Sequence, residues 1–134
     1  MYNKLTIYTD GGARGNPGPA AIGAVLMDEQ SKVIAQISKC IGEATNNQAE
    51  YRAVIAALQK AKELKIGELD FFLDSELVVK QLKREYKVKN VDLAPLFLQV
   101  NNLVIGFKKV TFQYIRREQN VEADRLVNLA LDTK

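Results

Sequence analysis

Polar and apolar residues alternate near the N-terminus. Residues 4–10 alternate well enough to predict a strand that ends near Asp10. Two apolar runs follow, over residues 20–27 and 32–41, with a short polar segment between them. Runs of this length joined by polar turns favour a three-stranded antiparallel meander for the first third of the chain.

The rest of the chain mixes helical and strand-like periods. The predicted elements in order are a helix from Asn46 to about Lys65, a strand over 69–73, a helix after Asp74 and Ser75, a helix over about 92–105, a strand over 110–115 and a helix from Asn120. This order predicts one α/β domain over residues 1–134. Its five-stranded mixed sheet would be antiparallel on one side, parallel through right-handed crossovers on the other, and flanked by helices.

One acidic residue interrupts an apolar helical stripe. Glu50 lies one turn before Val54, on the stripe that continues through Leu58 and Ala61. A carboxylate turned towards a core costs several kcal/mol unless it is paired, hydrogen-bonded or bound to metal. A capping box between Asn47 and Glu50 is the alternative explanation.

Three further acids are predicted to meet Glu50 at one edge of the sheet. Asp10 and Asp74 end the first and fourth strands, which become neighbours if the first helix crosses between them. Asp124 lies in the first turn of the last helix. Each has a structural alternative: a turn residue at Asp10, a helix N-cap at Asp74 and a helix-dipole contact at Asp124.

Acids that converge on one cleft raise each other's pKa values unless cations neutralise them. Two divalent ions roughly 3.5 to 4 Å apart would neutralise such a set and suit phosphoryl transfer. The sequence has no histidine, which removes the usual general base and the commonest transition-metal ligand. Carboxylates and water instead favour Mg²⁺ or Mn²⁺, so the four acids predict a metal-dependent phosphoryl-transfer site.

Composition adds few constraints. Nineteen basic and sixteen acidic residues give a net charge of +3, which permits a polyanionic partner without requiring one. The single cysteine, Cys40, has no partner for a disulfide within the chain, which fits a reducing compartment. No apolar run approaches the ~18 residues of a membrane span, and no signal-peptide pattern is present, so we expect a cytoplasmic protein without a membrane partner.

The segment over residues 11–19 is rich in glycine and proline, which predicts a loop. It lacks the Gly-Lys-Ser/Thr ending of a P-loop and the Gly-x-Gly-x-x-Gly of dinucleotide-binding folds. It is either a plain connection or a place where backbone N–H groups approach a sugar-phosphate backbone closely.

Four blocks of the sequence resemble the type 1 ribonucleases H, in order and spacing, across essentially the whole chain. The blocks are Thr9–Gly12 with Gly15–Pro19, then Thr45–Glu50, then Asp74–Ser75, then Asn120–Leu126. The resemblance implies a ribonuclease H-like fold. It also implies a monomeric endonuclease that cleaves the RNA strand of RNA/DNA hybrids, with two Mg²⁺ ions or Mn²⁺ as a substitute, and leaves 5′-phosphate and 3′-hydroxyl ends.

The resemblance also implies roles for individual residues. The metal-binding catalytic acids would be Asp10, Glu50, Asp74 and Asp124, with Glu50 also close to a ribose 2′-hydroxyl. Residues expected to contact the hybrid are Gly11, Gly12, Asn16, Asn46, Asn47 and Glu76. Thr45 and Asn90 match a pocket for a phosphate of the DNA strand.

Three departures from the family pattern bear on activity. The loop before the last helix lacks the histidine found in many members, and Glu118 is the substitute that the sequence suggests. Only residues 84–89 remain of a basic protrusion, and Glu43 occupies a place where some members use arginine. Two alternatives therefore stay open: a catalytically impaired hybrid-binding module, and a related metal-dependent nuclease with a broader range that includes double-stranded RNA.

Overall fold

A computed structural model describes residues 3–133. Its strands are β1 (Lys4–Ala13), β2 (Gly18–Met27), β3 (Val33–Ala44), β4 (Glu68–Leu73) and β5 (Lys109–Tyr114). Its helices are α1 (Asn46–Glu63), α2 (Glu76–Leu82), α3 (Ala94–Val104) and α4 (Val121–Asp132), and a short 3₁₀ turn (Arg117–Gln119) precedes α4.

The five strands form one sheet in the order β3-β2-β1-β4-β5. β2 pairs antiparallel with both β1 and β3, whereas β4 pairs parallel with both β1 and β5. The predicted mixed sheet is therefore confirmed, as is the adjacency of the first and fourth strands. In the β1–β4 register Thr9 lies opposite Leu73, so the next positions along the two strands are Asp10 and Asp74.

The core lies between α1 and the sheet. Val54, Leu58 and Ala61 form the apolar stripe of α1, and all three are fully buried. They belong to one cluster with the alternate, inward-facing residues of β1 and β4, such as Ile7 and Phe71. The period of 3.6 in the helix and the period of 2 in the strands thus bury one face of each element against the other.

The helix α4 lies so close to the sheet that its backbone meets the backbone of β2. A Cβ added at Gly23 of β2 would lie 2.4 Å from the carbonyl oxygen of Ala123 and 3.0 Å from the Leu126 Cβ. On the same face, the Ser38 hydroxyl of β3 donates to the Leu126 carbonyl oxygen at 2.6 Å. A glycine at position 23 therefore sets how closely α4, and the acid that it carries, approaches the sheet.

Part of the predicted glycine-rich loop is strand. The β1–β2 ladder continues through Gly11, Gly12 and Ala13, which pair with Ile22, Ala21 and Ala20. The prediction of a loop over the whole of 11–19 is wrong for these residues and for Gly18 and Pro19, which begin β2. Pairing with an existing neighbour strand overrides the low strand propensity of glycine.

Within residues 3–133, no helix is both long and apolar enough to cross a membrane.

Candidate active site

The four acids selected from the sequence surround one cavity of about 480 Å³ at the ends of β1 and β4. Carboxylate oxygens of Asp10, Glu50 and Asp74 lie within 4.8 Å of one another, close enough for one metal ion to bind all three. Asp124, in the first turn of α4, lines the same cavity. The other lining residues are Gly11, Gly12, Ala13, Arg14, Asn46, Asn47, Ser75, Arg117, Val127, Asn128 and Leu131.

Glu50 is held by the backbone of β1. Its Oε1 accepts a hydrogen bond from the Gly11 N–H at 2.8 Å, and the side chain is only 6% exposed. Its Oε2 is buried and has no hydrogen-bond partner among the described residues. A buried carboxylate oxygen left without a donor costs several kcal/mol, which a bound cation would offset.

The helix α1 begins without help from Glu50. Thr45 is its N-cap: the Thr45 hydroxyl accepts from the Gln48 N–H at 3.1 Å, and Gln48 Oε1 accepts from the Thr45 N–H at 2.8 Å. This pair is the capping box, so the alternative that paired Asn47 with Glu50 is wrong. Glu50 therefore has no capping role and turns towards the other acids.

Asp74 is not a helix cap either. Ser75 caps α2, because its hydroxyl accepts from the Val78 N–H at 3.3 Å. The Asp74 carboxylate instead accepts a hydrogen bond at its Oδ2 from the Asn120 side-chain amide, at 3.3 Å. The structural alternatives for Glu50 and Asp74 thus give way to a shared position in the cavity.

Burial raises the pKa of all three clustered acids. Burial, with smaller contributions from the negative charges of Asp74 and Asp124, raises the pKa of Asp10 to about 7 against a lowering contribution from Glu50. Burial and the charge of Asp10 raise the pKa of Glu50 well above its ordinary value. Burial also raises the pKa of Asp74, although the Asn120 amide and the charge of Arg117 act in the opposite direction. Such a set of acids favours a bound cation or a retained proton.

The metal-free protein should lose stability as pH rises. Because the pKa of Asp10 is raised from 3.8 to about 7, its contribution is fully present below pH 3.8 and is lost as pH rises through 7. We expect the free energy of unfolding in EDTA to be about 2–3 kcal/mol lower at pH 8 than at pH 5, as measured by urea denaturation. Added Mg²⁺ should stabilise the protein more at pH 8, and Asp10→Asn should reduce the pH difference. Equal stability of the wild type at both pH values in EDTA would contradict this.

A second cavity, of about 390 Å³, adjoins the N-terminus of α1. Its lining residues are Asn16, Thr45, Asn46, Asn47, Asn90, Asp92 and Leu93. Asn46 and Asn47 line both cavities, and the Asn46 Oδ1 accepts from the Ala13 N–H at 2.8 Å. The fold therefore brings three of the predicted hybrid-contacting residues and both predicted DNA-phosphate residues to this cavity, and Gly11 and Gly12 to the first.

Two further observations concern the residues predicted to bind the substrate. Glu76 is exposed in the first turn of α2 and lines neither cavity. In the cavity predicted to hold a DNA phosphate, Asp92 is the charged lining residue, and none of the described residues that line it is basic. A carboxylate at this place repels a phosphate rather than attracting it.

The 3₁₀ turn before α4 presents an arginine to the acids. Arg117 lines the acidic cavity, and its charge lowers the pKa of Asp74. Glu118, the residue suggested by the sequence, lies instead beside a separate cavity with Tyr8 and Val121. The sequence did not point to Arg117. Adjacent residues of a 3₁₀ turn project about a third of a turn apart, so Arg117 and Glu118 face different cavities.

Sequence inspection also missed two other cleft residues. Arg14 lines the acidic cavity and forms an ion pair with Asp132 near the end of α4. Asn120 was expected only to begin α4, but its amide contacts Asp74. The available signal for both was a polar residue in a short connection, four positions from one of the four predicted acids.

Comparison with known proteins shows similarity over nearly the whole chain. A family model described as "Reverse transcriptase-like" matches residues 8–130. The bifunctional protein Rv2228c of Mycobacterium tuberculosis is 45% identical over 130 residues, which cover 96% of this chain but only 36% of the relative. The chain thus spans about a third of the length of that curated relative.

Solved structures share the fold. RNase H1 of the halophilic archaeon Halobacterium salinarum superposes with a TM-score of 0.95 at 40% identity, covering 98% of this chain and 99% of the other. LC11-RNase H1, solved in complex with an RNA/DNA hybrid, gives a TM-score of 0.92 at 43% identity, covering 96% of this chain and 97% of the other. The similarity therefore includes the whole sheet and all four helices.

Proposed function

Because this chain belongs to the type 1 ribonuclease H family, we propose that it is a metal-dependent endoribonuclease that hydrolyses the RNA strand of RNA/DNA hybrids. The products would carry 5′-phosphate and 3′-hydroxyl ends. Asp10, Glu50, Asp74 and Asp124 are the proposed catalytic acids and metal ligands. Mg²⁺ is the proposed ion, with Mn²⁺ as a substitute and two ions per site.

One observation carries this proposal: the oxygens of Asp10, Glu50 and Asp74 lie within 4.8 Å of one another, and the buried Glu50 Oε2 has no hydrogen-bond partner among the described residues. An all-oxygen, carboxylate-rich donor set suits hard divalent cations. Such ions, when bound, act as Lewis acids that activate water and stabilise charge on a phosphoryl group. The chain itself supplies the fixed positions, since β1, α1 and α4 each contribute one acid and Asp74 directly follows β4.

The residues around the acids support recognition of a nucleic acid backbone. Asn46 and Asn47 stand between the two cavities, where neutral amides can donate to or accept from ribose hydroxyls without adding charge. The 2′-hydroxyl is the group that separates RNA from DNA, and Glu50 is an acceptor next to these amides. Recognition through sugars and phosphates predicts little sequence preference and an affinity that falls with salt.

Arg117 is the proposed phosphate-contacting residue of the loop before α4. It stands beside Asp74 in the acidic cavity, where a guanidinium can donate two parallel hydrogen bonds to a phosphate. A fixed positive charge also stabilises the negative charge that develops on the phosphoryl oxygens during cleavage. This role needs no proton transfer, so the missing histidine does not prevent catalysis.

A substrate panel tests the proposal directly. The protein is incubated with Mg²⁺ and labelled RNA/DNA hybrid, duplex DNA, duplex RNA or either single strand, and the products are resolved by length. We expect cleavage of the RNA strand of the hybrid, little cleavage of DNA, and none with the Asp10→Asn or Asp74→Asn variants. Cleavage that survives both substitutions would indicate a contaminant. Tight hybrid binding without turnover in Mg²⁺ or Mn²⁺ would support the alternative of a binding module.

The duplex RNA arm of the panel addresses the second alternative. Asp92 lines the cavity proposed for a DNA-strand phosphate, and no described lining residue of that cavity is basic. Weak contact with the DNA strand leaves less free energy to distinguish a hybrid from duplex RNA. We therefore expect measurable cleavage of duplex RNA, at a lower rate than cleavage of the hybrid.

Substitution of Arg117 by alanine should slow cleavage of the hybrid. We expect kcat to fall about 10²-fold, as when a donor to a developing negative charge is removed, with a smaller change in KM. Glu118→Ala is the matched control, because the adjacent side chain lies outside the acidic cavity. Equal losses in the two variants, measured by initial rates at saturating hybrid, would assign the effect to the fold of the loop instead.

A monomeric state, the absence of an obligatory protein partner and a cytoplasmic location stay predictions from the sequence. Sedimentation of the purified chain at several concentrations checks the first of them.

A further inference from the structure

Asn120 connects the elements that carry three of the proposed metal ligands. It is 1% exposed, and its side-chain amide nitrogen donates to the Thr9 carbonyl oxygen at 2.8 Å and to Asp74 Oδ2 at 3.3 Å. Thr9 precedes Asp10 in β1, Asp74 follows β4, and Asn120 itself is the residue before α4, which carries Asp124. One buried side chain therefore fixes β1, β4 and α4 relative to one another at the acidic cavity.

This arrangement replaces the usual role of asparagine before a helix. Asn120 is the N-cap of α4, yet in the described part of the chain its side chain makes no capping hydrogen bond. The stabilisation that an asparagine cap usually gives to a helix is therefore absent here. In addition, the Asn120 Oδ1 is buried without a hydrogen-bond partner among residues 3–133. A side chain selected only to stabilise α4 would not make these contacts.

The orientation of the amide follows from its neighbours. Both the Thr9 carbonyl and the Asp74 carboxylate are acceptors, so the group that faces them must be the NH₂ group and not the carbonyl oxygen. A donated N–H restricts the rotation of the carboxylate that accepts it. The hydrogen bond from Asn120 is accepted by Asp74 Oδ2, so Asp74 Oδ1 is left for another partner.

We propose that Asn120 is a positioning residue that holds the Asp74 carboxylate in the orientation needed to bind a divalent cation shared with Asp10 and Glu50. The inference rests on the metal site of the proposed function. The asparagine of the Asn120–Leu126 block then has a task beyond starting a helix, since Asn120 acts through Asp74 and would contact neither the ion nor the substrate.

The test measures metal binding by the free protein. Mn²⁺ is titrated into wild type, Asn120→Ala and Asn120→Ser without nucleic acid, and unbound Mn²⁺ is counted from its electron paramagnetic resonance signal. Loss of a hydrogen bond that orients a metal ligand typically weakens metal binding 10- to 100-fold, so we expect a dissociation constant at least about 10-fold higher in both variants. Serine can cap α4, so Asn120→Ser should be more stable to heat than Asn120→Ala without regaining Mn²⁺ affinity.

Gln81→Ala is the matched control. Gln81 is another buried amide, 5% exposed, whose Oε1 accepts from the Tyr51 hydroxyl at 2.7 Å in the core and not at the acids. It should lower the thermal midpoint and leave Mn²⁺ affinity within about twofold of wild type, since neither Gln81 nor Tyr51 lines the acidic cavity or contacts one of its carboxylates. A similar loss of Mn²⁺ affinity in Gln81→Ala would overturn the inference, because general loosening would then explain both results.

The inference and the proposed function can fail separately. Wild-type affinity for Mn²⁺ in Asn120→Ser would overturn the positioning role even if the wild type cleaves hybrids. Weakened Mn²⁺ binding in the Asn120 variants would support it even if the wild type cleaves no substrate in the panel. If Asn120→Ala does not fold, the Mn²⁺ titration of Asn120→Ser alone tests the positioning role. A wild type that binds no Mn²⁺ would overturn both.

Discussion

Glu50→Gln is expected to reduce cleavage of an RNA/DNA hybrid about 10³-fold while the fold persists. The glutamine retains an oxygen that can accept from the Gly11 N–H, so the contact between α1 and β1 survives. The substitution removes the negative charge that would neutralise a bound cation. It also places a neutral amide where the buried Oε2 lies. Initial rates with hybrid and Mg²⁺, together with thermal unfolding in EDTA, give the two quantities.

The thermal stability of Glu50→Gln distinguishes a role of Glu50 in the active site from a purely structural role. Because burial strongly disfavours the ionised carboxylate, the neutral variant should unfold at the same temperature as wild type or higher in EDTA. Glu63→Gln is the matched control on the same helix, since the Glu63 side chain is 70% exposed and distant from the acids. It should alter neither quantity. A variant at position 50 that unfolds much more easily but still cleaves the hybrid would restore the structural explanation.

Gly11→Ala should disrupt both the fold and the site. A Cβ at position 11 would lie 2.3 Å from the carbonyl carbon and oxygen of Ala49 and 2.5 Å from the Glu50 nitrogen. These are backbone atoms of the first turn of α1, so they cannot move aside by a change of rotamer. We expect the free energy of unfolding to fall by about 3 kcal/mol, at the upper end for overpacking, and Mn²⁺ binding to weaken because α1 carries Glu50.

Gly12→Ala is the stability control for this substitution. At Gly12 the nearest atom to an added Cβ is the Val127 Cγ1 at 3.7 Å, an ordinary contact. Its free energy of unfolding should stay within about 1 kcal/mol of wild type, because alanine suits a strand at least as well as glycine. Urea denaturation of the two variants decides the comparison. Equal stabilities would show that α1 shifts away from β1 at little cost.

The order of elements and the position of the acids were predictable from local patterns. Alternation over residues 4–10 and the helical stripe through Glu50 and Val54 each depend on neighbours a few positions away, and the structure retains both. The rule that a helix crosses between adjacent parallel strands then brought Asp10 beside Asp74. The chemistry of the site followed from that adjacency and from the absence of histidine.

Interactions between distant residues account for what the sequence did not predict. Both Thr45–Gln48 and Asn47–Glu50 have the spacing of a capping box, and the choice is made by the Gly11 N–H, 39 positions from Glu50. The capping preference of Asn120 likewise gives way to Thr9, 111 positions away. Local propensity gives the alternatives in such cases, and tertiary contacts select one.

The contact between Gly23 and Ala123 restricts how far the backbone of the proposed metal site can shift. Where a helix meets a strand backbone to backbone, the helix cannot slide or tilt towards the sheet without overlap of atoms, whereas interdigitated side chains would allow small shifts. The Cα of Asp124, one residue beyond this contact, is consequently fixed. If Asp124 binds metal as proposed, its carboxylate can follow a difference in radius between one divalent cation and another only by rotation about its own side-chain bonds.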